Sequence, residues 1–531
     1  MPGVCTAEFP VPSLFIPLQL GILLYVKFSY QLIDKLSQLA GIRQVFVAGG
    51  PVRDWLLGRE ILDLDLVLPR DVINTAGNFA AETGGHFVIL DADEGVARVV
   101  CRNLTIDFSQ YRQGSRTIED DLKKRDFTIN AMAISLTSAL PYIDASLPGS
   151  STRLTGPDRR DIIDPEGGLN DLDNRLIRTI SRENMISDPL RLIRAYRFRA
   201  HLDFEIEPHT MAIIRDLAGF LNSAGNTGAP LKPSSSVAAE RINHELRLIM
   251  ESRLAGRTLT EMFHAGLLQA ILPETRPMAG MSQPGFHHLD VLDHSLETVC
   301  AMEHLLTDPD AKFAEPEALT DWIEKNGSLT PELKWAAFLH DIGKPPCRGE
   351  KSGRPTFYHH DHTGAEIAES VGRRLRWPRR SILFTGRLIR LHMRPFHLLH
   401  DLRAGGPSRR AMRRLLLEVG DDYPALFLLA MADSMAGCGP LKPPDLDREI
   451  SDLWARIHAF YLKRLKPVKA RPRLITGNDI MKLYGLSPGP LIGKILDAVD
   501  EAQVEGILSS RDEAFRWLEH WLENNRPDVP E

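Results

Sequence analysis

The stretch of sequence that decides the fold runs from Val45 to Leu68 and reads VFVAGGPVRDWLLGREILDLDLVL. Its opening residues, VFVA, are apolar and predict a short buried strand. At Gly49 and Gly50 the absence of a Cβ allows a sharp turn and a close approach of the backbone to a ligand. Pro51 suits the first position of a helix, and the alternation in ILDLDLVL predicts a second strand. This order of strand, glycine turn, helix and strand predicts an α+β domain.

The glycine turn and the helix that follows it predict a site for an anion. Main-chain N–H groups at a helix start have no partner within the helix and bind anions. Arg53 adds a charged fork that matches phosphate oxygens. Gly49, Gly50 and Arg53 are therefore candidate residues for holding a triphosphate.

Two aspartates in the second strand predict a metal site. In a strand, Asp63 and Asp65 point to one face while Leu64 and Leu66 point to the other. Carboxylates on one edge bind hard cations such as Mg²⁺. Asp107, on a hairpin predicted to turn near residue 103, is a candidate third ligand, and two such ions would activate a hydroxyl and steady a leaving pyrophosphate. Other Asp-x-Asp pairs, interpreted as solvated turns, lie at 91/93, 171/173, 308/310 and 445/447.

A later segment carries arginines at helical spacing. Arg191, Arg194 and Arg197 recur every third residue and share one face of a predicted helix. Asp188 precedes Pro189 at the start of that helix, which also suits an N-cap, and the two roles are compatible. Cytosine and adenine each offer an amino donor beside a ring-nitrogen acceptor. A fixed Asp188–Arg191 pair would accept CTP and ATP and reject UTP and GTP.

Arg125 lies before Asp126 and an apolar stretch. The charges are then expected at the edge of an element, where Arg125 would reach a phosphate or a sugar. The alternative is a surface ion pair with Asp126, worth only ~0–1 kcal/mol.

These motifs resemble the class II CCA-adding tRNA nucleotidyltransferases and the related bacterial poly(A) polymerases. The resemblance covers about 45–270 and rests on the glycine turn with Arg53, Asp63-x-Asp65, the segment 125–131 and the segment 188–198. It implies a Mg²⁺-dependent palm, a helical neck and body, and transfer of CMP and AMP from CTP and ATP to the 3′ end of tRNA or another RNA. The departures are Ser187 and Lys124, where the family usually has Glu and Arg. Poly(A) addition, CC-only addition and A-only addition stay open, because those enzymes share the motifs.

A second set of residues has the spacing of a transition-metal site. Imidazole and carboxylate together suit zinc, nickel, manganese or iron. The order H, HD, H, H, D resembles the HD phosphohydrolase superfamily, which implies hydrolysis of phosphomonoesters or 2′,3′-cyclic nucleotides. A phosphohydrolase with an inactive polymerase head is the alternative from another class. The predicted ligands are His294, His340, Asp341, His360, His392 and Asp433. The histidines left unassigned, as bystanders, are His287, His288, His359, His362, His397 and His400.

Composition limits the remaining choices. The 531 residues include five cysteines without a CxxC pair, which excludes a disulfide scaffold and favours a reducing compartment, the cytoplasm. Lys and Arg total 64 against 70 Asp and Glu, a net charge of −6, so a globally basic coat is excluded. Between Arg373 and Arg414 there are nevertheless 13 arginines and one acid, Asp401, which predicts a basic stripe for an RNA backbone unless other segments supply acids.

The expected architecture is a mostly helical α+β protein with no membrane anchor and no inferred protein partner. The apolar run Leu14–Val26 is too short to span a bilayer, and no basic residues precede it; we interpret it as a loosely packed leader or as sequence upstream of a misplaced start. A polar loop is expected at 222–236, and the proline-rich stretch 439–472 has the composition of a linker around one helix. The predicted divisions are a leader (1–40), a nucleotidyltransferase head (41–183), a helical neck and body that binds RNA and the base (184–275), an HD domain (285–440) and a helical C-terminal tail (441–531).

Overall fold

The computed structural model describes residues 32–41, 44–59, 61, 63–101, 104–146, 156–221, 237–283, 285–469 and 472–524. The apolar run at 14–26, the hairpin turn expected near residue 103 and the loop expected at 222–236 lie outside the described residues. The described chain forms two compact units. One holds the residues up to Arg191 together with Asp203–Leu217, and the other holds Leu192–Leu202 and the residues from Ala218 onward.

The first unit is built on a mixed β-sheet. Its strands are β1 (Phe46–Ala48), β2 (Asp63–Leu68), β3 (His86–Asp91), β4 (Val96–Cys101), β5 (Leu104–Gln110), β6 (Ala133–Ser135) and β7 (Ile162–Ile163). The seven strands lie in the order β3-β4-β5-β2-β1-β6-β7. The β2–β5 pair is parallel and the others are antiparallel. Along β2, Leu64 and Leu66 are fully buried while Asp63 is exposed, as the alternation predicts.

The helices between residues 32 and 217 follow in chain order, and the one that begins at Leu190 belongs to the second unit from Leu192 onward. They are α1 (32–41), α2 (Gly50–Leu56), α3 (Val72–Thr83), α4 (Ile118–Leu122), α5 (Leu136–Ser146), α6 (Gly168–Asp173), α7 (Arg182–Ser187), α8 (Leu190–Leu202) and α9 (Pro208–Leu217). Two short parallel strands, β8 (Leu176–Ile177) and β9 (Glu205–Ile206), pair with each other. The predicted α+β class is confirmed.

The second unit is almost entirely helical. From 239 to 339 its helices are α10 (Ala239–Glu251), α11 (Ala255–His264), α12 (Leu267–Ile271), α13 (Val291–Thr307), α14 (Glu317–Lys325) and α15 (Thr330–Leu339). From 360 to 436 they are α16 (His360–Arg374), α17 (Arg379–Leu391), α18 (Arg394–Arg403), α19 (Arg409–Val419) and α20 (Tyr423–Ala436). The last are α21 (Leu446–Phe460), α22 (Lys466–Lys469), α23 (Gly477–Tyr484), α24 (Pro490–Glu505) and α25 (Arg511–Asn524).

One hairpin interrupts the helices of the second unit. Its strands are β10 (Gly349–Lys351) and β11 (Arg354–Thr356), an antiparallel pair. Ser352 and Gly353 join them with φ angles of 52° and 72°. Positive φ at both central residues is the geometry of a tight hairpin turn. The helical pattern of this region does not predict this turn.

The one helix expected within the proline-rich stretch 439–472 is present as α21. Helix α21 packs against α18 and α20, and its Leu453 and Trp454 are fully buried. The prolines dominate the composition of this stretch, but Leu446, Ile450, Leu453, Trp454 and Ile457 recur at helical spacing and build part of the core.

The basic stripe predicted between Arg373 and Arg414 meets acids that other segments supply, which is the alternative weighed for it, and its contact with RNA stays a prediction. Nine of the 13 arginines between 373 and 414 form ion pairs with acids. Several of these acids come from distant segments, such as Glu274 with Arg374 and Glu449 with Arg403. A local charge count misses partners that the fold brings in from elsewhere.

In the part of the chain that the structure describes, none of the helices combines the length and apolar character needed to cross a bilayer.

Candidate active site and metal centre

Three predicted carboxylates lie on one face of the sheet of the first unit, on two neighbouring interior strands. Asp63 and Asp65 lie two residues apart on β2, and β5 runs parallel beside them. The register pairs Asp65 with Asp107 and Asp63 with Thr105. Register partners on neighbouring strands point to the same face, so all three carboxylates face the same side.

The electrostatics of this cluster favour the binding of a cation. Burial raises the pKa of Asp65 to about 6, and although Arg125 and Arg53 oppose this rise, the neighbouring Asp107 and Asp63 add to it. Oxygen ligands gathered without enough positive charge suit a hard divalent ion such as Mg²⁺. The donor set therefore fits the predicted metal.

Arg98, on β4, is a site residue that sequence reasoning missed. Its Nε and Nη2 atoms donate to the two carboxylate oxygens of Asp107 at 2.7 and 2.8 Å. The only signal for it is the pairing of β4 with β5, in which Arg98 is the register partner of Asp107. Arg98 is thus the counter-ion of Asp107. Among the described ion pairs, no guanidinium binds Asp63 or Asp65 through two nitrogens in this way.

Gly49 brings the turn close to the carboxylates. Its φ is 82°, and its N–H donates to the carbonyl of Met132 at 3.0 Å. A Cβ at this position would lie 2.6 Å from Nη1 of Arg125 and 3.5 Å from Oδ2 of Asp65. Glycine is therefore required here both for its conformation and for the close approach of these two side chains.

The two arginines predicted to meet phosphate are both buried. Arg53 donates to Asp54 at 2.9 and 3.0 Å and to Oδ1 of Asn130 at 2.7 Å, which fixes its guanidinium beside the glycine turn. Arg125 pairs with Asp121 at 3.4 Å. With 8% of its surface exposed, Arg125 does not form the surface ion pair weighed as the alternative.

Main-chain carbonyls hold Arg191. Its guanidinium donates to the carbonyl oxygens of Lys124, Arg125 and Asn184 at 3.1, 3.4 and 3.0 Å. Asn184, which sequence reasoning missed, donates in turn to the carbonyls of residues 123 and 125 at 2.9 and 2.8 Å. The orientation of Arg191 thus depends on backbone contacts, which explains how the usual glutamate can be replaced at Ser187.

Asp188 accepts a hydrogen bond from the N–H of Leu190 at 3.3 Å, the cap expected from its place before proline. In the second unit, Arg194 and Arg197 lie 3.6 and 3.3 Å from the buried carboxylate of Glu245. Their predicted contact with a nucleotide stays a prediction.

Two of the Asp-x-Asp pairs interpreted as solvated turns are something else. Asp171 is 2% exposed, accepts a hydrogen bond from Thr128 at 2.7 Å and pairs with Arg178 at 3.0 Å. Asp447 lies within α21 and pairs with Lys442 at 3.0 Å. Each carboxylate also has a partner that is distant in sequence, Thr128 for Asp171 and Lys312 for Asp447, which composition does not reveal.

The six residues predicted to bind a transition metal converge between helices of the second unit. His294 lies on α13, His340 and Asp341 at the end of α15, His360 at the start of α16, His392 at the end of α17 and Asp433 on α20. All six are at least nine-tenths buried.

Asp341 lies at the middle of this cluster. Its Oδ2 is 3.2 Å from Nε2 of His340, and its Oδ1 is 3.4 Å from Nε2 of His360. Nε2 of His392 lies 3.2 Å from that of His360. On the other side, Nε2 of His294 is 3.0 Å from Oδ1 of Asp433.

Backbone carbonyls aim three of the imidazoles inward. The Nδ1 atoms of His340, His360 and His392 are 2.8, 2.8 and 2.6 Å from the carbonyls of Ala337, Phe357 and Ile389. Such contacts set the tautomer and leave Nε2 free to bind a metal. Nε2 of His340 is buried and has no hydrogen-bond partner among the described residues. These observations fit a resident metal.

The pKa values of two imidazoles in this cluster shift in opposite directions. Burial alone would lower the pKa of His340, but the adjacent Asp341 and Asp433 carboxylates raise it to about 9. Burial lowers the pKa of His392 to about 4, and the neighbouring His340 and His360 add to this shift. Imidazoles pushed in opposite directions within one cluster are typical of a functional site.

Sequence reasoning missed two further residues of this centre. His287, interpreted as a bystander, lies close enough to His294 and Asp433 for the three to hold one ion. Lys344 places its Nζ 2.5 Å from Asp341 and donates to Gln283 at 2.6 Å. A cleft of about 720 Å³ opens over the cluster, with apolar walls that include Phe286 and Phe396.

Carboxylates paired across parallel strands beside a glycine turn are the features of a nucleotidyltransferase head, and the buried histidines and aspartates between helices are those of an HD module. Matches to family models agree with this class. The Poly A polymerase head domain matches residues 45–178, the probable RNA and SrmB-binding site of polymerase A matches 235–278, the HD domain matches 291–434 and the putative tRNA nucleotidyltransferase domain 2 matches 455–518.

Curated relatives cover nearly the whole chain. The A-adding tRNA nucleotidyltransferase of Deinococcus radiodurans is 33% identical over 487 residues, 90% of this chain and 95% of that protein. The CC-adding tRNA nucleotidyltransferase of Thermus thermophilus is 31% identical over 482 residues, 90% of this chain and 94% of that protein. The chain belongs to the class II CCA-adding tRNA nucleotidyltransferase family.

Solved structures share the fold at low identity. The Thermotoga maritima CCA-adding enzyme complexed with tRNA has a TM-score of 0.56 and 20% identity, covering 95% of this chain and 96% of that one. Complexes of a CCA-adding enzyme with CTP and with ATP have TM-scores of 0.57 and 0.58 and identities of 21% and 20%, and they cover 96% and 95% of this chain and 96% of theirs.

Proposed function

We propose that this chain adds CMP and AMP from CTP and ATP to the 3′ end of tRNA, in synthesis or repair of the CCA end. The observation that carries the proposal is the pairing of Asp65 with Asp107 across parallel strands, with Asp63 on the same face. This cluster lies beside the Gly49 turn, where a triphosphate would meet two arginines held by side-chain partners.

Asp63 and Asp65 would hold the magnesium in the head, and Asp107 would contribute a third carboxylate. Magnesium bound there would lower the pKa of the attacking RNA hydroxyl and neutralise charge on the leaving pyrophosphate. Arg53 and Arg125 orient the phosphates, since both guanidiniums are buried and held by side-chain partners. No covalent enzyme intermediate is required, because the RNA hydroxyl itself is the nucleophile.

Asp188 and Arg191 would select the incoming base. The carboxylate accepts from the amino group that cytosine and adenine share, and the guanidinium donates to the adjacent ring nitrogen. Because three backbone carbonyls hold Arg191, its donors are fixed before the nucleotide arrives. Preorganisation of this kind supports selection between bases that differ only in donor and acceptor placement.

The extent of addition is tested with defined RNA ends. The purified chain is incubated with tRNA lacking CCA, tRNA ending in CC and a generic RNA, each with one labelled nucleotide. We expect CMP on the first tRNA and AMP on the second. Incorporation of CMP alone or AMP alone identifies a CC-adding or A-adding enzyme, and long tails from ATP alone on any RNA identify a poly(A) polymerase.

We also propose a metal-dependent phosphohydrolase activity for the second unit. The buried cluster around Asp341 supplies imidazoles and carboxylates suited to a transition metal, which would activate a water for attack on phosphorus. Phosphomonoesters and 2′,3′-cyclic nucleotides are the substrates to test. Loss of hydrolysis in His340→Ala would assign the activity to this centre, and no hydrolysis by the metal-loaded chain would refute it.

The domain roles follow from these sites. The head would be 41–183, the neck and body that contact RNA and the base 184–275, the HD domain 285–440 and the tail 441–531. We place the enzyme in the cytoplasm, where its tRNA substrate occurs; the free thiols of Cys101, Cys300, Cys347 and Cys438 are consistent with a reducing compartment.

A further inference from the structure

We propose that His287 is a seventh ligand of the buried metal centre, on the ion that His294 and Asp433 hold. The proposal rests on the metal centre of the proposed phosphohydrolase. It goes beyond the H, HD, H, H, D order, because His287 precedes both the first histidine of that order and the HD match at 291–434.

The position of the imidazole carries the inference. A ring nitrogen of His287 and one donor atom each of His294 and Asp433 all lie within 4.8 Å of one another. The two imidazole rings meet edge to face, with centroids 4.2 Å apart. Nδ1 of His287 is buried and has no hydrogen-bond partner among the described residues.

Backbone contacts hold the segment that carries His287 against the end of α20. The N–H of Gly439 donates to the carbonyl of Phe286 at 2.8 Å, and the N–H of Leu441 donates to that of Gly285 at 3.0 Å. The N–H of Cys438 donates to Nδ1 of His288 at 3.2 Å. These donors lie in the segment that directly follows α20, so the chain just beyond the helix that supplies Asp433 also holds the segment that carries His287.

Gly439 makes this approach possible. A Cβ at that position would lie 2.3 Å from the carbonyl oxygen of Gly285 and 2.6 Å from the backbone nitrogen of His287. Contacts this short involve backbone atoms and cannot be relieved by rotating a side chain. The placement of His287 therefore depends on close packing between its own segment and the segment around Gly439.

The donor chemistry suits the same class of metal as the other ligands. A neutral imidazole joins His294 and Asp433 as a mixed nitrogen and oxygen set, which suits zinc, manganese, iron, nickel or cobalt. His360 and His392 lie with Oδ1 of Asp341 in a separate group. His287 would complete the set on the side of the cluster away from that second group.

The test measures metal binding by the full-length chain rather than its activity. Metal-stripped wild type, His287→Ala and His287→Gln are titrated with Co²⁺ by calorimetry and by visible absorption. The matched control is His304→Ala, since His304 is an exposed histidine of α13 and belongs to none of the candidate metal-ligating groups. We expect both His287 variants to weaken one bound ion by at least about tenfold and to change the Co²⁺ spectrum, with little change in the control.

The outcomes separate this inference from the function it rests on. If the wild type binds no Co²⁺, the metal centre itself is refuted. If it binds Co²⁺ and the His287 variants match it in affinity, stoichiometry and spectrum, His287 is not a ligand. Should neither variant fold, anomalous diffraction from wild-type crystals soaked in Zn²⁺ decides the matter: a ligand nitrogen lies about 2.0–2.1 Å from the ion, and a longer distance overturns the proposal.

Discussion

Asp65 and Asp107 are register partners on two parallel strands, although a helix and a hairpin separate them in the chain. Only one of the two has a guanidinium fork, because Arg98 occupies both oxygens of Asp107. Asp65 keeps a pKa of about 6, raised mainly by burial. The unequal pairing suggests that Asp65 carries more of the cation binding than Asp107, and it leads to the first prediction.

Asp65→Asn should reduce nucleotide incorporation into tRNA by at least about 100-fold, because it removes a metal-binding charge from the transition state while keeping the side-chain shape. Initial rates with saturating CTP and Mg²⁺ give the measurement. Asp93→Asn is the matched control, since Asp93 belongs to an Asp-x-Asp pair in an exposed turn. Equal losses in the two variants would show that the strand position has no special role.

Asp188→Asn should relax the choice of nucleotide. The exchange replaces one carboxylate acceptor by an amide donor, and a good bidentate base contact is worth about 1–3 kcal/mol, or about 5- to 150-fold in discrimination. The ratio of CTP to UTP incorporation should decrease by a factor within that range. Arg182→Ala serves as the control. Arg182 lies on α7, the helix before α8, and the exchange removes only its exposed ion pair with Asp216 of α9. An unchanged ratio in Asp188→Asn would refute the base-selecting role.

His340→Ala should abolish phosphohydrolysis while nucleotide addition to tRNA continues, because its Nε2 lies in the buried cluster of the second unit and the carboxylates of the head belong to the first. Treatment with a chelator followed by Mg²⁺ alone should give the same separation. Both activities are measured on one preparation. Parallel loss of both would indicate a folding defect or a single shared site.

Gly343→Ala should lower stability and metal affinity together. A Cβ there would lie 2.1 Å from the carbonyl of His360 and 2.5 Å from the N–H nitrogen of Gly364, so the segments carrying Asp341 and His360 would have to separate. Overpacking of this kind costs about 1–3 kcal/mol. Thermal melts and Co²⁺ titration give the two readouts.

Gly327→Ala is the control for that substitution, because among the described residues no atom beyond the local backbone lies within 4 Å of a Cβ at Gly327. Its melting temperature and Co²⁺ affinity should stay close to those of the wild type. A Gly343→Ala chain that melts and binds metal like the wild type would show that the close contact can relax without cost.

Local patterns in the sequence were sufficient to predict much of the fold and many of the residues that meet at the two sites. Alternation alone puts Asp63 and Asp65 on the open face of a strand, because successive side chains of a strand must point to opposite sides. The six spaced histidines and aspartates likewise meet between helices. These properties depend on near neighbours in the chain or on a motif whose order is diagnostic by itself.

The tertiary structure alone decided which distant groups meet. Glu274 on Arg374 and Glu449 on Arg403 join segments whose sequences show no sign of each other. Strand register and helix packing select such pairs, and both depend on the burial of the whole core. Residue periodicity can state which face a side chain occupies, whereas the partner on that face is chosen by the long-range packing of the chain.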